Sequence, residues 1–129
     1  MSIKKMMALH PNAGDAPDET RAKAAKHAFY CALMCTSCAD ACLAEPMDMT
    51  QCIRTCLDCA DMCTATARLV VRQTGQDVDM LRAALEACIR ACHLCAAECS
   101  QHDHPHCKLC AEMCAECADD CKAALAALG

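Results

Sequence analysis

Four times along the chain, cysteines recur in the spacing C-x3-C-x2-C-x3-C. The sets are Cys31, Cys35, Cys38 and Cys42, then Cys52, Cys56, Cys59 and Cys63, then Cys88, Cys92, Cys95 and Cys99. The last is Cys110, Cys114, Cys117 and Cys121, with Cys107 one step in front. Steps of four, three and four residues place every member of a set on one face of an α-helix. They are also the a and d steps of a heptad, the seam that ordinarily carries Leu and Ile. Cysteine therefore replaces the aliphatic core along roughly 17–21 Å of each helix, at ~1.5 Å per residue.

Stop and start residues divide the chain into four long helices. The first is expected to begin near Asp15-Ala16-Pro17-Asp18-Glu19 and to run to Glu45, where Pro46 ends it. Asp48 and Gln51 stand in capping-box register for a second helix running to about Gln73, with Gly75 as its left-handed stop. Asp77 or Asp79 opens the third, to about Gln101. His104-Pro105 starts the fourth, with Pro at the first helical position, and it ends at Leu128-Gly129. Short links imply antiparallel neighbours and an all-α, up-down-up-down four-helix bundle over residues 15–129. Residues 1–14 show little periodicity and are expected to form a loose arm. Cys52-Ile53-Arg54-Thr55-Cys56 matches Cys88-Ile89-Arg90-Ala91-Cys92, so the bundle also reads as two similar helical hairpins.

Composition narrows the chemistry. Ala, Leu, Met and Cys dominate while Gly and Pro are scarce, which favours helix. Seventeen cysteines in 129 residues exceed the about 8–10% that flags a disulfide scaffold in a short secreted chain. However, no secretory signal or twin-arginine pair precedes them, and an odd count cannot close into intramolecular pairs. A reducing, cytoplasmic setting is expected, where dense cysteine means metal or redox chemistry. Net charge is −5 and the only aromatic residues are Phe29 and Tyr30, so a nucleic-acid footprint is lacking. No apolar stretch approaches the ~20 residues that span a bilayer.

Several readings of the cysteines compete. Free cysteine is often a small buried hydrophobe, but that does not account for four helices filled in phase. Iron–sulfur proteins use C-x2-C-x2-C-x3-C-P, a different spacing. Zinc, or a general soft-metal buffer, is the serious rival. Charge favours Cu(I): exchanging a thiol proton for Cu(I) leaves a neutral metal–thiolate unit, so a buried core loads without accumulating charge. A Zn(Cys)4 site carries two net negative charges, and stacked sites repel. Thiolate is also the soft ligand that selects Cu(I). Cβ atoms at i and i+4 are ~5–6 Å apart, and a metal bridging two sulfurs at roughly 2.3 Å each spans up to ~4.6 Å. Each C-x3-C pair can clamp an ion, and facing helices can share others.

Position within the helices predicts an open and a closed end. The sets lie late in the first and third helices and early in the second and fourth, so an antiparallel bundle gathers all of them at one tip. The opposite half of the seam is apolar: Ala24, Ala28, Val70, Val78, Leu81, Leu85, Ala124 and Leu128. It is expected to be a dry plug that holds the metal-free fold. At the thiol tip sit Met47 and Met49 on one link and His102, Asp103, His104 and His106 on the other. Met49, His102, His104 and His106 are the candidate mouth ligands, passing Cu(I) inward. The competing readings are a solvated turn for the histidines, with His104 as helix cap, and core filling for Met49. His27 reads as a packed or exposed histidine, His93 as facing out, and His10 falls in the arm.

The four phased runs, Cys31–Cys42, Cys52–Cys63, Cys88–Cys99 and Cys107–Cys121, resemble the bacterial copper storage proteins over about residues 18–128. The resemblance implies a four-helix bundle that stores multiple Cu(I) ions per chain on core thiolates and assembles as a homotetramer. It also implies exchange with copper donor or acceptor proteins or small thiols. Without a twin-arginine signal the chain is similar to the cytosolic branch. Tyr30, Leu33, Leu57, Leu94 and Leu109 fall on outward heptad positions, where a monomer favours charge. No nucleophile triad, Gly-rich loop or paired-carboxylate motif argues for an enzyme. A thiol–disulfide oxidoreductase would need its C-x2-C pair at a helix N-terminus in a βαβ setting, which mid-helix pairs lack.

Overall fold

The computed structural model describes residues 2–13, 19–72 and 78–128. Among the described residues five helices follow one another: α1 (Ile3–Ala8), α2 (Glu19–Leu43), α3 (Thr50–Val70), α4 (Val78–Cys99) and α5 (Pro105–Ala127). Each of α2 to α5 packs on its neighbour in sequence, and α5 returns to α2 to close the ring. This is the antiparallel four-helix bundle that the phased seams require, with the cysteine face of every helix turned inward.

The helix ends follow local chemistry and correct several expectations. At Cys42 and Leu43 the first long helix turns over, the amides of Ala44 and Glu45 reaching back to the carbonyls of Ala41 and Cys42. It therefore stops short of Glu45. The capping box does not form. Asp48 Oδ1 instead accepts from the Thr50 amide at 2.9 Å and its hydroxyl at 2.6 Å, an Asx-type turn that holds the Asp48 carboxyl below its ordinary range. Met49 takes the N-cap position without a side-chain cap bond, and Gln51 donates to Thr55 instead. The third long helix ends at Cys99 rather than Gln101. The fourth opens as expected, with His104 extended at the N-cap and Pro105 first in the helix. The Pro17 start, the Gly75 stop and the Asp77 start lie outside the described residues.

Within the arm, Ile3–Ala8 is helical. Ser2 caps a short helix by accepting from the Lys5 amide, Met7 is buried, and Lys4 pairs with Glu19 at the start of α2. Six residues are too few for a periodic signal, so the contacts with α2 that hold this helix are invisible in the pattern.

At the end remote from the links at 44–49 and 100–104, the expected plug is present. Ala24, Ala28, Val70, Leu81, Leu85 and Ala124 are buried, while Val78 and Leu128 are half-buried. Thr66 joins them, fully buried, its hydroxyl donating to the Met62 carbonyl at 2.8 Å and lying 3.4 Å from the Ala84 carbonyl. Arg21 donates to the carbonyls of Val70 and Arg72, satisfying the C-terminus of α3. His27, which the pattern left without a metal role, bonds Asp120 of α5, and Lys23 approaches the same carboxylate at 3.6 Å. This latch satisfies a buried acid at the boundary between α2 and α5.

Candidate metal centre

Every cysteine is buried and unbridged; the most exposed, Cys38, reaches only 3%. The heptad steps explain this directly, since each set occupies the face its helix turns toward the axis. Neighbouring sulfurs lie 3.6–4.0 Å apart, well beyond the ~2.05 Å of a disulfide. Pairs within a helix, such as Cys31–Cys35 at 3.9 Å and Cys59–Cys63 at 3.8 Å, are no closer than pairs between helices. Examples of the latter are Cys31–Cys114 at 3.7 Å, Cys63–Cys92 at 3.7 Å and Cys56–Cys99 at 3.6 Å. The single-helix clamp is thus one edge of a network that links all four helices.

Groups of four ligand atoms, all within 4.8 Å of one another, run through this network. Cys31, Cys59, Cys63 and Cys92 form one; Cys31 and Cys59 recur with Cys35 and Cys114; Cys35 and Cys114 recur with Cys95 and Cys110. Cys110 appears again with Cys38, Cys56 and Cys99, and Cys38 again with Cys42, Cys107 and His106. The deep end continues through Cys63–Cys88 at 3.8 Å and Cys88–Cys121 at 3.9 Å. Cys52 sits 3.8 Å from Cys99 near the opposite, linked tip. Cys117 is fully buried within hydrogen-bonding influence of Cys88 and Cys121. Because consecutive groups share members, the thiols form one ladder along the bundle axis rather than separate cages.

The spacing matches shared coordination. With metal–sulfur bonds of ~2.3 Å, sulfurs around a trigonal ion stand ~4.0 Å apart and around a tetrahedral ion ~3.8 Å. A linear ion would need the full ~4.6 Å. Sulfur pairs at 3.6–4.0 Å suit sharing among three or four sulfurs, and the four-ligand groups, whose atoms lie within 4.8 Å of one another, also leave room for a linear pair. With seventeen thiols, one monovalent ion per thiolate leaves such a core near neutral.

At the tip that carries the links 44–49 and 100–104, burial pushes Cys42 up to about 12 and also raises Cys52 and Cys107. Cys38 goes the other way: Cys110 pushes its thiol up, but hydrogen bonds from Cys56 and Cys99, then His106, bring it down to about 6. His106 Nδ1 stands 3.4 Å from Cys38 Sγ and 3.6 Å from Cys107 Sγ. Cys38, ahead of Glu45, holds the imidazole above its ordinary range despite partial burial.

The candidate mouth residues divide. His106 joins the thiols. His102 is engaged by Glu98, one turn earlier, at 2.7 Å, and His104 by Glu45 at 3.0 Å. Met49 is buried at 4% within the thiol core, whereas Met47 is half exposed, and His93 faces out as expected. Glu45 and Glu98 escaped the sequence reading. A carboxylate four residues before a histidine on a helix could have signalled Glu98, but nothing in the pattern marks Glu45.

Comparison with known proteins agrees with this geometry. Residues 18–126 match the copper storage protein family. The copper storage protein Ccsp from Streptomyces lividans, in a structure loaded with 10 copper equivalents, is 43% identical and superposes with a TM-score of 0.92. That match covers 97% of this chain and 98% of the other. A structure of the cytosolic copper storage protein from the same organism carrying five coppers is 49% identical, with a TM-score of 0.83 over 86% of this chain and 96% of that one. The uncharacterized cysteine-rich protein YhjQ of Bacillus subtilis is 34% identical over 95 residues, 72% of this chain and 84% of its own length. With the phased cysteines, the inward thiol ladder and a match over nearly the whole bundle in agreement, the chain belongs to the copper storage protein family.

Proposed function

We propose that this chain stores and buffers multiple Cu(I) ions in the cytoplasm, on core thiolates loaded from the end that carries Met49, His102, His104 and His106. The observation that carries the reading is the ladder itself, seventeen buried, unbridged thiols, most of them in overlapping four-ligand groups. Each captured ion exchanges for a thiol proton, R–SH + Cu⁺ → R–S–Cu + H⁺, and bridging sulfurs let ions move along the ladder without a bare intermediate. The cytosolic Streptomyces lividans relative supports the compartment. A zinc buffer is disfavoured by the charge that stacked tetrathiolate sites would accumulate.

Storage needs no catalysis, and the ligand set serves binding alone. Copper donor or acceptor proteins or small thiols are the expected exchange partners. A homotetramer is supported by the outward Tyr30, Leu33, Leu57, Leu94 and Leu109, each 44–56% exposed, beside exposed Phe29 and Leu43 on α2. Among the described residues no helix is long and apolar enough to cross a membrane.

The test is an anaerobic Cu(I) titration of the reduced protein against a competing chelator, with released protons counted. Uptake approaching about one ion per thiol, with about one proton released per ion, is expected. Saturation at about four ions or fewer, or about four protons per ion, refutes the reading in favour of isolated tetrathiolate sites. Followed in time, a variant with Met49, His102, His104 and His106 all changed to Ala should load more slowly to nearly the same capacity. Unchanged kinetics would remove the mouth assignment.

A further inference from the structure

Glu45 lies three residues beyond Cys42, in the link that follows α2, and meets the other link of the same tip. Its Oε2 stands 2.9 Å from His106 Nε2 and 3.0 Å from His104 Nδ1. The two rings are stacked, with centroids 5.4 Å apart and planes within 4°. An ionised carboxylate only accepts, so each ring nitrogen facing it carries a hydrogen. For a neutral His106 this places the hydrogen on Nε2 and the lone pair on Nδ1. That is the nitrogen 3.4 Å from Cys38 Sγ and 3.6 Å from Cys107 Sγ. The Cys38 sulfur competes for the hydrogen from the Nδ1 side, and without the carboxylate it is the nearest strong acceptor for the ring. It would draw the hydrogen onto Nδ1 and leave the only lone pair on the nitrogen away from the thiols.

From this juxtaposition we infer that Glu45 is a positioning residue for copper capture: it holds the His106 hydrogen on Nε2 so that Nδ1 faces the first thiols as a metal donor. The inference rests on the storage reading above. Glu45 acts through the histidine, as carboxylates commonly do behind ligating imidazoles, where their loss lowers metal affinity or activity about 10–100-fold. Because the contact spans 61 residues of sequence, it also ties the two helical hairpins together at the tip through which metal passes.

The test compares the full chain with Glu45→Ala and Glu45→Gln. In metal-free protein, at a pH where the ring is neutral, nitrogen-15 NMR of the imidazoles reads the tautomer directly. The parent is expected to carry its His106 hydrogen on Nε2, and Glu45→Ala to shift it to Nδ1. In Glu45→Gln the amide oxygen still accepts and preserves the parent tautomer. Stopped-flow uptake of Cu(I) from a weak chelator complex should slow by about tenfold or more in Glu45→Ala, with final capacity unchanged and most of the rate restored in Glu45→Gln. A parent ring protonated on Nδ1, unchanged uptake in Glu45→Ala, or slowing in Glu45→Gln with the tautomer intact would each overturn the inference. The last would assign the effect to carboxylate charge. Failure of the parent to take up more than a few ions would overturn the storage reading and this inference with it; normal parent loading with any of the other three results overturns this inference alone.

Discussion

Replacing Leu85 by Ala separates the part of the bundle that holds the fold from the part that holds the metal. Leu85 and Val70 head the fully buried side chains, and both lie beyond the thiols, Leu85 one step before Cys88. Elsewhere the plug is largely alanine, so few other side chains fill the space between the helices. Truncation removes about three carbons, worth about 2.4 kcal/mol in transfer at ~0.8 kcal/mol per methylene. The cavity left behind raises the cost to about 3 kcal/mol, the lower part of the range for buried leucines. An unfolding entropy of about 0.27 kcal/mol/K for a chain of this length converts this into a melting temperature about 11 °C lower. Circular dichroism of reduced, metal-free protein measures it. The parent should be helical and melt cooperatively, because neutral thiols pack as small hydrophobes and the fold does not wait for metal. Copper capacity in the variant should equal that of the parent. An unfolded metal-free parent, a shift below about 3 °C, or a proportionate loss of capacity would each refute the division into plug and store.

Two further outcomes probe the thiol compartment. Cys38, brought down to about 6, should gain thiolate as pH climbs through that value and lose it below. Brief iodoacetamide labelling of metal-free protein, mapped by mass spectrometry, should therefore rise at Cys38 at a lower pH than at Cys42. Cys42, pushed up to about 12, should label slowly throughout the neutral range, and equal labelling of the two at neutral pH would contradict the assignment. Thr66 sits one seam step beyond Cys63, so Thr66→Cys should extend the ladder and raise capacity by about one ion, at a stability cost of about 1 kcal/mol for the lost hydroxyl bond. An unchanged titration end point would show that the position of Thr66 is not continuous with the thiols.

The bundle and its core were legible because both follow from period. Steps of four, three and four residues oblige Cys31 to Cys42 and their counterparts to share a face wherever a helix forms, and their places within the helices gather them at one tip. The plug was legible for the same reason, Thr66 excepted: a polar residue on an apolar seam is invisible as core until its hydroxyl is seen returned to the Met62 carbonyl. Helix ends were less secure. Asp48 and Gln51 satisfied the spacing of a capping box, but the Asp48 side chain closed on Thr50 and the helix began one residue later. The Ile3–Ala8 helix carried no signal because it is shorter than two turns and depends on contacts with α2.

Sequence alone determined that seventeen sulfurs would point inward together, since a helix converts spacing into direction with no further information. Tertiary structure decided how the side chains at the linked tip are arranged. Met49 turned into the core, His102 went to Glu98, and His106 alone of the three histidines at that tip stands in the thiol group with Cys38, Cys42 and Cys107 among the groups described above. Links have no period from which a side-chain direction can be read. His106 meets Glu45 from a link 61 residues away, a contact that exists only once α2 and α5 have packed.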